Sequence, residues 1–221
     1  MSEVKDRDCD PQNSHVDRRW DSQLSVLPDK LQQRLMPFQK EGVKFALSKN
    51  GRCMIADEMG LGKTVQAISV AYAYRQEWPL LIVVPSSLKY PWIEEMERWI
   101  PELNPGDINL VETKSDTLGI SSSKVTVLGY GGSVAVRCTP LVEALTRQRF
   151  NVVVVDESHY LKSRNAARSR ILVPLIQNAS GRAILLTGTP ALGRPEDLYG
   201  SPRRSKHTPS PDHTFLSYSD V

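Results

Sequence analysis

The chain is 221 residues long, 40% hydrophobic and 24% charged, with a formal net charge of +3. These figures place it among soluble globular chains with room for one domain and a sizeable core. So mild a basic balance permits a nucleic-acid partner without arguing for one, and no apolar run approaches membrane-spanning length.

Residues 1–27 begin MSEVKDRDCD, too acidic and polar for a secretory signal. They carry no periodic apolar pattern and are expected to form a mobile arm, with Trp20 and Val26-Leu27 docking at its end. The three cysteines, Cys9, Cys53 and Cys138, are far apart and form no CxxC pair. No zinc site is readable from them, and an odd count without a framework fits a reducing compartment, cytosolic or nuclear.

Residues 28–198 read as one alternating α/β domain. Leu31, Leu35, Phe38, Val43 and Leu47 suit one or two helices interrupted at Pro37. Strand-length apolar runs follow at Cys53–Ile55, Leu80–Val84, Ile108–Val111, Val125–Leu128, Val152–Val155 and Ala183–Leu186. Between them lie helical stretches at Val65–Gln76, Leu88–Trp99, Leu141–Arg149 and Ala166–Gln177. The runs LLIVV and VVVVD are apolar throughout, the pattern of strands covered on both faces. This alternation predicts a doubly wound, mainly parallel sheet with ligands beyond the carboxyl ends of its strands. Residues 199–221 carry Pro202, Pro209 and Pro211 among serines and charges and are expected to be a disordered tail.

Two segments carry the chemistry. Asp57-Glu58-Met59-Gly60-Leu61-Gly62-Lys63-Thr64 runs from strand through loop to helix. Gly60 and Gly62 let the backbone curl its N–H groups toward phosphate oxygens, and the helix adds its positive end. Lys63 would reach the β- and γ-phosphates of ATP, and the Thr64 hydroxyl would ligate Mg²⁺. The strict phosphate-loop pattern has glycine where Asp57 stands. An ordinary glycine turn before a helix is the plain alternative.

Asp156-Glu157-Ser158-His159 ends the VVVV run. Asp156 would hold the magnesium, and Glu157 would orient and deprotonate the water that attacks the γ-phosphate. A solvated turn is the plain alternative. The two segments together form the two halves of one Mg·ATP site. His159 is a candidate coupler between that site and a DNA-facing side, or a structural hydrogen-bonding residue.

DEMGLGKT, DESH and Leu186-Thr187-Gly188-Thr189-Pro190 resemble motifs of superfamily-two helicases, most of all the Swi/Snf-type branch. Pro37-Phe38-Gln39-Lys40-Glu41-Gly42 resembles that branch's glutamine motif, which implies that Gln39 recognises adenine. EWPLLIVVPSSLKYPW, DESHYLKSRNAARSR and AILLTGTPALGRPEDL are similar to the annealing-helicase subgroup. The resemblance covers residues 28–198 and implies a single RecA-like helicase lobe. It further implies ATP and magnesium as cofactors, a nuclear location, and DNA at forks or single/double-strand junctions as partner, in replication-fork remodelling and repair.

The resemblance also implies that Thr187, Gly188 and Thr189 couple ATP to movement, and that Ser86, Ser87 and Lys89 contact the DNA backbone. Ser86 and Ser87 equally suit helix capping. A further DNA-facing motif would fall near Gly129-Tyr130-Gly131. Lys162, Arg164, Arg168 and Arg170 could face DNA or form a solvated helix face. Trp92 and Trp99 share a helix face and are expected to pack in the core.

The resemblance stops near Leu198, and the second lobe that would supply arginine fingers does not follow. A splice product, a shifted reading frame or a mispredicted gene end would account for the change. The expected function is therefore the first lobe of a DNA annealing helicase without full motor activity. A non-catalytic ATP- and DNA-binding module is the alternative, and a small-molecule kinase is disfavoured because DESH and TGTP accompany the phosphate loop.

Overall fold

A computed structural model describes residues 24–130, 139–161, 167–178 and 181–188, together with the backbone of 215–217. Thr189, Gly131, Lys162, Arg164 and the side chain of Arg168 lie outside the described residues.

Among these residues the helices are α1 (Asp29–Arg34), α2 (Pro37–Ser48), α3 (Lys63–Ala73), α4 (Lys89–Trp99), α5 (Thr139–Gln148) and α6 (Ala167–Asn178). The strands are β1 (Arg52–Ile55), β2 (Leu80–Val84), β3 (Ile108–Val111), β4 (Val125–Gly129), β5 (Val152–Val155), β6 (Arg182–Leu186) and β7 (Phe215–Ser217). Each of the six expected strand runs is present to within a residue. Pro37 ends one helix and opens the next: its fixed φ and missing N–H suit the first helical position of α2.

The sheet order is β3-β4-β2-β5-β6-β1-β7. The first six strands in that row pair in parallel, as the unbroken apolar runs predicted. Successive side chains of a strand alternate between faces, so each run feeds two cores. Ile82, Val84, Val152, Val154, Ile184 and Leu186 pack beneath α1–α4, with Val43, Ile68, Trp92 and Met96 among their neighbours. Leu81, Val83, Val153, Val155 and Leu185 pack on the other face against Leu141 and Leu145 of α5 and Leu172 and Ile176 of α6. Helices on both faces of a parallel sheet make this a doubly wound α/β fold.

Two ends of the packed region stand out. The docking expected of Val26-Leu27 is seen at Leu27, which is buried, while Leu24 packs against the same core and Val26 is exposed. A turn closed by the Leu27 N–H on the Leu24 carbonyl brings both to the first helix. At the other end, Phe215–Ser217 was read as part of an unstructured tail but pairs antiparallel with Cys53–Ile55. The exposed N–H and C=O row of an edge strand accepts a short β-prone segment whose few apolar residues give no sequence signal.

A surface carboxylate gives a pH test of local structure. Asp116 accepts the backbone N–H groups of Glu112 and Thr113 at 2.9 and 2.6 Å. These bonds hold its carboxyl below the usual range. A depressed folded pKa contributes stability above the unfolded pKa, and that contribution is lost as pH falls through the folded value. Asp116→Ala is therefore expected to lower the melting temperature at neutral pH, with the gap to wild type closing below about pH 4. A gap that persisted at acid pH would assign the loss to packing.

Candidate functional site

Because six strands run in parallel, their carboxyl ends share one edge, and the loops leaving them stand in strand order. Along β4-β2-β5-β6-β1 those loops begin with Tyr130, Pro85, Asp156, Thr187 and Ala56 in turn. Register keeps them level: Val84 pairs with Gly129, Val155 with Leu185, and Leu186 with Ile55. The Thr187 N–H donates to the Ile55 carbonyl at 3.1 Å and the Asp156 N–H to the Val83 carbonyl at 2.8 Å. The segments from Asp57, Asp156 and Thr187, distant in sequence, thus emerge side by side.

The phosphate loop curls as its glycines suggested. Gly60 and Gly62 have φ of +86° and +76°, where a side chain is strained. A Cβ on Gly62 would also lie 2.4 Å from Nε2 of Gln39. Gly62 closes the N-terminal end of α3, which begins at Lys63 and Thr64. Lys63 Nζ donates to the carbonyls of Asp57 and Glu58 at 2.8 and 3.0 Å, folding the loop around its own ammonium group. Glu58, Met59 and Gly60 are exposed, so the site is an open shelf.

Asp57, the departure from the strict pattern, has a structural task. It is fully buried, and its Oδ2 accepts the amide N–H of Gln66 at 2.8 Å. Gln66, one turn into α3 and also fully buried, was not singled out from sequence. A polar residue on the buried stripe of an otherwise apolar helix was the available signal. Gln39 performs a parallel task on the other side. Its Nε2 donates to the Leu61 carbonyl at 2.9 Å, and its Oε1 accepts the Met36 N–H at 2.9 Å. Both ends of its amide therefore brace the phosphate loop against the start of α2.

Directly after β5, Asp156 is only 7% exposed. Oδ2 accepts the indole N–H of Trp92 at 2.9 Å and Oδ1 accepts the Glu157 N–H at 2.8 Å. Burial raises its pKa above the ordinary carboxylate value; Glu157 adds to the rise, while those two hydrogen bonds and the charge of Lys63 oppose it. The opposing influence of Lys63 places phosphate loop and carboxylate within electrostatic reach. Glu157 holds φ of +47°, rare for a residue with a side chain and costing about 1–2 kcal/mol. His159 Nδ1 lies 3.1 Å from Glu157 Oε2, without hydrogen-bonding alignment, and its ring stacks on Tyr160 with centroids 4.5 Å apart. Ser158 is fully buried. Gly188 sits over the phosphate loop: a Cβ there would lie 2.9 Å from Met59 Cγ and 3.7 Å from Lys63 Nζ.

The residues present fit a magnesium ion. Asp156 offers hard oxygens whose charge is under-compensated in a buried setting, and Thr64 offers a hydroxyl on the first turn of α3. Among the described residues no three His, Cys, Asp or Glu gather into a cage. A metal held here would be one that takes a single carboxylate and completes its shell with water and phosphate oxygens.

The other candidates group around β2 and β4. Ser86 and Ser87 are exposed in a short 3-10 turn, Ser86–Leu88, that leads into α4. Pro85 stands at the N-cap of the turn and Leu88 at that of α4, so neither serine occupies a cap position. Lys89 Nζ lies 2.6 Å from Glu112 Oε1, and Tyr90 donates to the other oxygen of Glu112 at 3.2 Å. A Cβ on Gly129 would lie 2.9 Å from Ser86 Oγ, so the two segments pack closely. Arg170 is exposed on α6. Trp92 and Trp99 are both buried, as their spacing predicted.

Comparison with known proteins follows the same lines. A family model described as the SNF2-related domain matches residues 38–200. The DNA annealing helicase and endonuclease ZRANB3 of Homo sapiens is 63% identical over 189 residues, covering 86% of this chain and 17% of that protein. The chain thus spans about one sixth of that relative's length. The Sulfolobus solfataricus SWI2/SNF2 ATPase core in complex with dsDNA superposes with a TM-score of 0.57 at 24% identity, covering 75% of this chain and 34% of that one. The UvsW helicase of bacteriophage T4 superposes with a TM-score of 0.60 at 18% identity, covering 83% and 66%. At such identities the two structures speak for the fold, a RecA-like helicase lobe.

Proposed function

The chain belongs to the SNF2-related domain family, and on that premise we propose that it is the ATP-binding first lobe of a DNA-dependent ATPase of the annealing-helicase kind. The observation that carries this reading is the gathering of Lys63, Asp156 and Gly188 from the connections that leave three neighbouring strands, β1, β5 and β6. Lys63 would release the Asp57 and Glu58 carbonyls and take the β- and γ-phosphates. The curled N–H groups of residues 60–64 would receive the remaining phosphate oxygens at the positive end of α3. Asp156 and Thr64 would hold magnesium, which when bound neutralises charge on the phosphates. Glu157, beside Asp156, would orient the attacking water and accept its proton. Gln39 would read adenine after exchanging its bond to Leu61, while Ser86, Ser87 and Lys89 would meet the backbone of DNA at a fork or junction.

The described residues form one α/β lobe. An arginine finger from a second lobe contributes factors of about 10³–10⁵ in related phosphoryl transfer. We therefore infer that Mg·ATP binding belongs to this chain itself and that robust hydrolysis and strand annealing need a second lobe. Fork remodelling, DNA repair and a nuclear location follow for the longer protein of which such a lobe is part. A non-catalytic ATP- and DNA-binding module is the second reading, favoured by the open shelf. An ATPase assay on the purified chain, with and without fork DNA, separates the two. Little turnover is expected; turnover that required both Lys63 and fork DNA would remove the binding-module reading.

A further inference from the structure

Asp156 stands where two groups of loops meet. On one side lie the phosphate loop and Gly188; on the other lie the β2 and β4 loops with Ser86, Lys89, Gly129 and Tyr130. Two side chains from that second group reach Asp156. Trp92 lies on α4, within a turn of Lys89, and its buried indole N–H donates to Asp156 Oδ2 at 2.9 Å. Tyr130 directly follows Gly129, and its buried hydroxyl donates to the Asp156 carbonyl at 2.9 Å. The loops that begin these two connections also touch each other, through Gly129 against Ser86 and Lys89. The Tyr130 N–H is fixed to the end of β2 by a 2.8 Å bond to Val84 O. Core packing alone would orient Trp92; it would not require an indole N–H on a carboxylate 64 positions along the chain.

We propose that Trp92 and Tyr130 are positioning residues that couple DNA at the β2 and β4 loops to ATP at the phosphate loop, by holding the side chain and the main chain of Asp156 respectively. Both contacts converge on one residue, so a shift of α4 or of the β4 loop moves the carboxylate that would hold magnesium. This rests on the function proposed above and names the path by which its two ligands sense each other. Such a coupling is reciprocal: DNA must tighten or loosen nucleotide by the factor with which nucleotide changes DNA affinity.

The test measures that factor in the 221-residue chain. The affinity of a fluorescent ATP analogue with magnesium is titrated with and without short duplex DNA. The ratio of the two dissociation constants is expected to be about fivefold or more in the wild type. Trp92→Phe and Tyr130→Phe are each expected to bring the ratio below about twofold, whereas Trp99→Phe, on the same helix but bonded to Glu95, leaves it unchanged. A ratio cancels any uniform loss of binding, so a destabilised variant does not imitate the result. If Trp92→Phe does not fold, Tyr130→Phe, which removes one hydroxyl, carries the test. Wild-type ratios preserved in the variants overturn the coupling path alone. A wild type that binds both ligands independently does the same. A wild type that binds no magnesium-nucleotide overturns both this path and the function on which it rests.

Discussion

Lys63→Ala is expected to weaken Mg·ATP binding by on the order of 100-fold or more. Hydrogen bonds to charged groups contribute about 1.5–3 kcal/mol each, and Lys63 would make two, to the β- and γ-phosphates. At about 1.4 kcal/mol per tenfold, their loss corresponds to that factor. The contacts of Lys63 within its own loop show why the effect should fall mainly on binding. Lys63 Nζ rests on two carbonyls of its own loop at 2.8 and 3.0 Å, at an open shelf, and its removal opens no cavity in either core. The melting temperature without nucleotide should therefore fall by no more than the loss of those two loop hydrogen bonds brings. Fluorescence or calorimetric titration measures the affinity, and calorimetry the melting. An affinity within about threefold of wild type would mean that the ammonium group does not meet phosphate, and the assignment of the loop would fall.

Ile82→Ala is expected to cost about 2–5 kcal/mol of folding stability. Ile82 is fully buried in β2, in register with Val127 on one side and Val154 on the other. Neighbours locked into a hydrogen-bonded sheet cannot collapse into the gap, so the lost transfer energy and the cavity add. Against a typical total of about 5–15 kcal/mol this is a large fraction, and melting should fall by roughly 2–4 °C per kcal/mol. Denaturant unfolding should show a lower midpoint with an unchanged slope. A loss under about 1 kcal/mol would mean that the sheet relaxes around the missing methyls.

The two predictions separate two kinds of information. Ile82 belongs to LLIVV, a run whose unbroken apolarity announced a strand buried on both faces. Lys63 belongs to a loop whose glycines announced a curled backbone leading into a helix. Both were legible because the physics is local: side-chain alternation along a strand, φ freedom at glycine, an ammonium at a helix start. The departures were equally local in cause and still unreadable. Asp57 breaks the motif on paper, yet the residue that explains it, Gln66, lies one turn into a helix that periodicity would mark as core. Ser86 and Ser87 look like caps, but a 3-10 turn intervenes and α4 starts at Lys89. Three residues of a proline-broken tail find a free strand edge no sequence pattern points to.

Sequence alone determined the alternation of strands and helices, the parallel sheet, the curled glycine loop before α3 and the acidic strand end, since each follows from neighbours along the chain. It could not determine that β6 lies between β5 and β1, which puts Thr187 and Gly188 between Asp156 and the loop that carries Gly60, Gly62 and Lys63. Nor could it assign Trp92 and Tyr130 to Asp156, because those bonds span 64 and 26 positions. Strand order and such bonds are settled by which buried faces and buried polar groups satisfy one another in three dimensions, and only the packed sheet brings them within reach.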